Sequence, residues 1–428
     1  MTPLEEVKKM LGELSKNNVE YAIIRNYDFL EDETQKIGKD VDIVVSKIDI
    51  QKIRAIFNKN NYTKQLISPF SQHLGFAKYL HENYKLIKFH FHVEGISGRH
   101  IQYLQAKDLL KRRKQINGFY VISDEDYLIS LIYHYKDAYK NKMFSLLNNK
   151  IDCEYVKTQI STNLPSKTTN KIATHLKNKD IDSLKSMRSN IKKQILFRPV
   201  NLITASVIVF LGGLWKISRF YKKAPLIAFM GMDGAGKSTL TAESIQVLNE
   251  NRISSELVYT GRGRRNIIPI QKVGKWYKNK EKNEGKKSSN QKISLKKKIT
   301  YTLSSPIFTL DLILRYFIKI LPKRKSKDIV ITDRYATDIL LMKNVPMWLK
   351  KILYFTIPKP TKIIYLYNDI DVLHIRKPNH PYDDLVRQES LFKEINKDLN
   401  PIQIKNEDIE KSKKQVCEII FNELLKNW

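Results

Sequence analysis

Two hydrophobic periods alternate along this chain of 428 residues. Leu4, Val7, Leu11 and Leu14 recur at helical spacing, which predicts an opening amphipathic helix. Residues 21–24 (YAII) and Val41–Val45 are short apolar runs that read as strands, the second reached through a polar loop containing Gly38. Lys85–Val93 (KLIKFHFHV) alternates with period two. That puts Phe89, Phe91 and Val93 on one face and His90, His92 and Glu94 on the other. From Asp124 to about Asn190 the pattern is mostly helical. The most apolar run, 199–215, falls short of the ~20 residues that cross a bilayer. Gly212 and Gly213 interrupt it, and Arg198, Lys216, Arg219, Lys222 and Lys223 flank it. It reads as a buried connecting helix or an interfacial contact with an anionic membrane, with a true transmembrane span the least favoured reading.

From Leu226 onward the pattern changes. Residues 226–230, 329–332 and 363–366 are unbroken apolar strands separated by helical stretches, as in a parallel sheet covered by helices on both faces. Single cores stop growing near ~250–300 residues, so at least two domains are expected. The fold class expected is α/β: a C-terminal parallel-sheet domain over 224–428, an N-terminal α+β domain with a helical extension over 1–196, and a connector over 197–223. Within the second domain, the dense basic stretch 262–298 reads as a flexible insertion.

Composition narrows the setting. Cys153 and Cys417 are the only cysteines, which excludes a disulfide scaffold or cysteine zinc cluster and suits a reducing cytosol. The N-terminus has no apolar leader, so a cytoplasmic protein is expected. Against 44 acidic residues stand 76 Lys and Arg, a net charge of +32. A solvated Lys-rich surface accounts for this excess, and so do anionic partners: nucleotide phosphates, nucleic acid or a membrane.

One motif carries explicit chemistry. Gly231-Met232-Asp233-Gly234-Ala235-Gly236-Lys237-Ser238 fits G-x-x-x-x-G-K-[ST] between a strand and a helix that begins near Ser238-Thr239. The glycines let backbone N–H groups wrap phosphate oxygens, and the helix N-terminus adds positive potential. Lys237 is then expected to reach the β- and γ-phosphates of ATP, with the Ser238 hydroxyl on Mg²⁺. Asp333 closes the strand 329–332, placed to hold the same ion, and Arg334 can grip a substrate phosphate.

The segments GMDGAGKST, VITDRY and IIYLYNDIDVLHIRKPNHPYDDLVRQ resemble the thymidylate kinase family of P-loop nucleoside monophosphate kinases, over roughly 226–428. The resemblance implies that Asp233 contacts a substrate hydroxyl and that Asp333 and Arg334 lie between the metal and the acceptor phosphate. It also implies that Arg376, Lys377 and Arg387 are lid cations closing over the transferring group. Where that family continues after Asp-Arg-Tyr with a Ser and an Ala-Tyr-Gln element, this chain reads ATDILLMKN. Arg262, Arg264 and Arg265 follow Tyr259 and point to a strongly anionic acceptor. Asp311 and Arg315, one helical turn apart, are either part of the same pocket or a surface pair.

In the first half, Asp40 and Asp42 flank Val41 and share one face of a strand, a divalent-metal candidate. If that strand neighbours Lys85–Val93, His90 and His92 join them, a donor set suited to Mn²⁺ or Zn²⁺. The Asp-x-Asp strand resembles the nucleotidyltransferase superfamily, especially members fused to kinase-like domains, and implies that Asp40 and Asp42 bind catalytic metals. That family's Gly-Ser turn is absent, Arg25-Asn26-Tyr27-Asp28 standing in its place, and His90 or His92 replaces its third carboxylate.

The combined expectation is a cytoplasmic, Mg²⁺- and ATP-dependent kinase with a nucleotidyltransferase-like domain, acting on a small nucleotide, sugar or polyol derivative. Such a pair suits consecutive steps toward a surface-glycan precursor, with peripheral contact at the inner membrane face. The rival expectations are a nucleic-acid 5′-end enzyme, for which no RNA-binding module is recognisable, and a non-catalytic nucleotide-binding scaffold. The oligomeric state is left open.

Overall fold

Thr2 starts the first helix. Its hydroxyl accepts from the Glu5 N–H at 3.2 Å, and the Glu5 carboxylate accepts from the Thr2 N–H at 2.9 Å, so Pro3–Lys16 begins on a reciprocal cap. Its Val7, Leu11 and Leu14 are buried, as their spacing requires. The computed structural model describes all residues except 36, 99–100, 135–139, 219–221, 261–266, 269–289, 343–344 and 379. The chain divides into two units, Met1–Arg219 together with Trp428, and Phe220–Asn427.

The first unit holds strands β1 (Tyr21–Ile23), β2 (Val41–Val45), β3 (Thr63–Lys64), β4 (His73–Leu80), β5 (Lys85–Val93), β6 (Gly95–Gly98), β7 (Ile101–Gln105), β8 (Lys114–Ile116) and β9 (Phe119–Val121). Seven of them form a mixed sheet in the order β3-β4-β5-β2-β1-β9-β8, and β6 pairs with β7. The alternation of β5 settles which face is core. Phe89 and Phe91 are fully buried with Phe57 and Phe76, and the histidines face the other way. Parallel pairing of β2 with β5 sets Asp42 opposite His90, and the antiparallel pairing of β4 with β5 sets His73 opposite His92.

Among the described residues, five helices between Asp124 and Leu196 complete the unit, followed by Pro199–Ser218. This last helix is not a buried connector. Val200, Ile203, Val209, Phe210 and Ile217 are each at least 60% exposed, and among its described side chains only Ala205 is buried. Among the described residues, no single helix is long and apolar enough to cross a membrane.

The second unit is α/β. Strands β10 (Leu226–Gly231), β11 (Ser255–Tyr259), β12 (Ile329–Asp333), β13 (Lys362–Tyr367) and β14 (Ile402–Lys405) form a wholly parallel sheet in the order β11-β12-β10-β13-β14, flanked by helices. The apolar runs of β10 and β12 are buried along their length, which is why they do not alternate. From β10 the chain moves to one side of the sheet and later to the other, so a crevice opens beyond the carboxyl end of β10. The basic stretch 262–298 differs from expectation at its end: from Asn290 the chain is helical, as part of Asn290–Arg315. Apart from Ile267 and Ile268, the rest of that stretch up to 289 lies outside the described residues.

Candidate functional site

β10 runs into the glycine loop at the sheet's carboxyl edge. Gly231 has φ +145°, and a Cβ there would meet the Leu366 carbonyl of β13 at 2.1 Å, so only glycine fits between the two strands. Gly236, at φ +92°, turns the chain into the helix Lys237–Glu250 with no side chain capping its first N–H groups. A Cβ on Gly236 would lie 2.2 Å from Nδ2 of Asn406. That amide donates to the Ala235 carbonyl at 2.9 Å, and the Asn368 amide donates to the Asn406 carbonyl at 2.6 Å. Two buried asparagines past β13 and β14 therefore fix the shape of the loop, a role that carries no motif in the sequence.

The loop's polar groups converge with the end of β12. Lys237 is buried, and its ammonium donates to the Met232 carbonyl at 2.7 Å and lies 3.8 Å from Asp233 Oδ1. Ser238 Oγ donates to Asp333 Oδ2 at 2.8 Å. The other oxygen, Asp333 Oδ1, is buried with no hydrogen-bond partner among the described residues. A buried carboxylate oxygen without a donor is costly unless a cation occupies the space beside it. Paired with a hydroxyl at the mouth of a phosphate-type loop, this oxygen fits a hard divalent ion such as Mg²⁺.

Asp233 is the hub on the other side. Its Oδ1 accepts from Arg334 Nη2, and its Oδ2 lies 3.5 Å from His380 Nε2. Arg334 holds this position with φ +65°, an unfavourable backbone for a side chain with a Cβ. Thr260 stabilises the turn: its hydroxyl donates to the Arg334 carbonyl and its N–H to the Asp333 carbonyl at 3.4 Å. Asp233, Gly234, Gly236, Lys237, Ser238, Thr239, Arg334, Arg376, Lys377 and His380 line one cavity of about 450 Å³. Arg376 also donates to the Gly234 carbonyl at 3.4 Å.

Other sequence candidates fall elsewhere. Arg387 does not line this cavity; its Nε donates to Asp384 Oδ1 at 3.0 Å. Arg262, Arg264 and Arg265 lie outside the described residues. Asp311 and Arg315 are not a surface pair. Their 2.7 Å ion pair is fully buried, and Asp311 Oδ1 accepts from the N–H groups of Ile267 and Ile268 at 2.8 Å each. Arg315 donates to the Thr260 carbonyl at 3.4 Å. The pair braces the backbone behind Thr260, one contact removed from Arg334.

No protein-family model matches this chain, and no curated protein does. Among solved structures, a thymidylate kinase from Candida albicans is similar over 48% of this chain and 93% of its own length, with 20% identity and a TM-score of 0.33.

The first unit has its own polar cluster. Asp42 is buried: Oδ2 accepts from Arg25 Nε at 2.8 Å, while Oδ1 lies 3.1 Å from His90 Nδ1 and 3.3 Å from His92 Nε2. Burial opposes ionisation, but the hydrogen bonds from His90 and His92 and the Arg25 charge outweigh it, holding the carboxyl well below its usual range. Burial keeps His92 below the ordinary histidine range, against the raising effect of Asp42. Asp40 is half-buried just before β2 and takes none of these bonds. Two residues join that the sequence did not single out as ligating: Arg25, and His73 at the start of β4, whose ring centroid is 4.7 Å from those of both His90 and His92. Period two finds His90 and His92, but only the pairing of β4 with β5 brings in His73.

Proposed function

We propose that the second unit is a Mg²⁺- and ATP-dependent kinase that passes a phosphoryl group to a small anionic acceptor, such as a nucleoside monophosphate or a sugar phosphate. The observation that carries this reading is the Ser238–Asp333 pair at the mouth of the glycine loop, with Asp333 Oδ1 buried and without a donor among the described residues. Bound Mg·ATP supplies the phosphoryl group and a cation that neutralises charge on its oxygens. The chain's own groups do the positioning. Ser238 and Asp333 hold the ion, and the N–H groups of 234–239 cradle the phosphates. Lys237 exchanges the Met232 carbonyl for a phosphate oxygen. Arg334 exchanges Asp233 for the acceptor's anionic group, which leaves Asp233 to accept from an acceptor hydroxyl. Arg376 and Lys377, on the same cavity wall, balance the charge spread over the phosphoryl oxygens.

The test is ADP formation from Mg·ATP across nucleoside monophosphates, sugars, sugar phosphates, polyols and oligonucleotide 5′ ends. A small phosphorylated acceptor is expected to raise the rate well above basal hydrolysis. ATP binding without stimulation by any acceptor would favour a scaffold, and no Mg·ATP binding would remove the site altogether.

A separate observation supports a second reading. We infer that Pro199–Ser218 rests on an anionic bilayer surface, because its apolar side chains are exposed along its length and the flanking sequence is basic. The protein is expected to sediment with vesicles containing anionic lipid, less so at high salt, and not with neutral vesicles. Unchanged sedimentation of the Ile203→Asp, Phe210→Asp double variant would overturn this.

A further inference from the structure

We propose that His73, His90 and His92 bind one divalent late-transition-metal ion, zinc by preference, with Asp42 holding two of the three rings in place. The inference stands on the first unit alone and does not depend on the kinase reading.

Each of the three rings offers a nitrogen, and the three nitrogens lie within 4.8 Å of one another. The rings form a nearly equilateral triangle, with all three centroid separations 4.7 Å. The backbone explains the triangle. His90 and His92 are two apart on β5 and share a face, and the antiparallel register places His73 of β4 opposite His92. Three imidazoles clustered on one sheet face, two pairs tilted and one pair edge to face, are a poor packing choice unless something binds them.

Asp42 settles which nitrogens are available. Its Oδ1 accepts from Nδ1 of His90 and Nε2 of His92, so those atoms carry the protons. The lone pairs then sit on His90 Nε2 and His92 Nδ1. The second of these is buried and has no hydrogen-bond partner among the described residues, in a residue only 8% exposed. A carboxylate that accepts from the far nitrogen of a ligating histidine fixes its tautomer and raises its basicity. Here one carboxylate does this for two rings, while Arg25 holds its other oxygen.

The donor set selects the ion. Neutral imidazoles suit zinc, cobalt, nickel and copper, whereas Mg²⁺ and Ca²⁺ prefer oxygen. Nitrogens bound at about 2.0–2.1 Å to a tetrahedral centre lie about 3.3–3.4 Å apart, so from a spacing of at most 4.8 Å the rings close by up to about 1.4 Å per pair on binding. Three protein ligands leave a fourth position for water or an added ligand. His92 also lines a cavity of about 170 Å³ with Arg25, Tyr103, Ser130 and His134.

The experiment uses the full chain without an affinity tag, stripped with a chelator and then exposed to Zn²⁺ or Co²⁺. One equivalent of zinc is expected to survive gel filtration, and Co²⁺ should give the strong visible absorption of four-coordinate nitrogen ligation. His73→Gln should lower zinc affinity by roughly 100-fold or more, and Asp42→Asn, though not a ligand, by about 10–100-fold. Mg·ATP binding should be the same in wild type and His73→Gln, which separates this site from the glycine loop. Failure of the wild-type chain to retain zinc would overturn the proposal, as would equal zinc binding by His73→Gln. The wild-type measurement decides the matter even if a variant does not fold.

Discussion

Replacing Lys237 with alanine is expected to lower ATP-dependent phosphoryl transfer by about 10²–10³-fold, the loss typical of removing one preorganised charge-stabilising donor. The ammonium lies buried at the first residue of its helix, between the Met232 carbonyl and Asp233. Lys237 is the one Lys or Arg in the sequence of residues 231–238. The fold should survive. Alanine is the best helix former, and losing the hydrogen bond to the Met232 carbonyl costs about 0.5–1.5 kcal/mol, while a desolvated charge is removed with it. Arg334 still pairs with Asp233 in the variant. The checks are a coupled assay of ADP release and a melting curve. Turnover equal to wild type with an unchanged melt would show that the glycine loop does not act on the nucleotide.

Asp311→Ala is expected to give the largest loss of stability away from that loop. Asp311 is completely buried, its ion pair with Arg315 is 2.7 Å long, and it receives two backbone N–H groups. The alanine variant removes the Asp311 carboxylate from beside a guanidinium in the core and takes the acceptor from two amides. Breaking a buried pair from one side costs about 3–5 kcal/mol. For a unit of this size that is a fall in melting temperature on the order of 6–20 °C. Asp311→Asn should lose less, since an amide oxygen can still accept from Ile267 and Ile268. A shift within about 2 °C for the alanine variant would mean that the pair contributes little net stability.

What could be read in advance was local. The glycine loop declares itself because one turn must combine positive φ, close strand approach and a following helix, and few residue types satisfy all three. The two faces of β5 follow from its alternation. The spacing of Asp311 and Arg315 correctly suggests that they meet, but i,i+4 spacing says nothing about which side of the helix is covered. Residues that act through distant pairing were illegible for the same reason. Asn406 acts on Ala235, 171 positions earlier, and Thr260 acts on Arg334, 74 positions later. His73 joins the other histidines only through strand register. None of the three lies in a motif, because the partner that gives it meaning lies in another part of the chain.

The asparagine behind the glycine loop also sets a timetable during synthesis. At about 5–20 residues per second, a ribosome needs on the order of 10–35 s to travel from Ala235 to Asn406. Over that interval a nascent chain carries the loop without its prop, and a buried donor from β14's far end has yet to arrive. If the proposed site binds nucleotide, capture is therefore expected only once synthesis has passed Asn406.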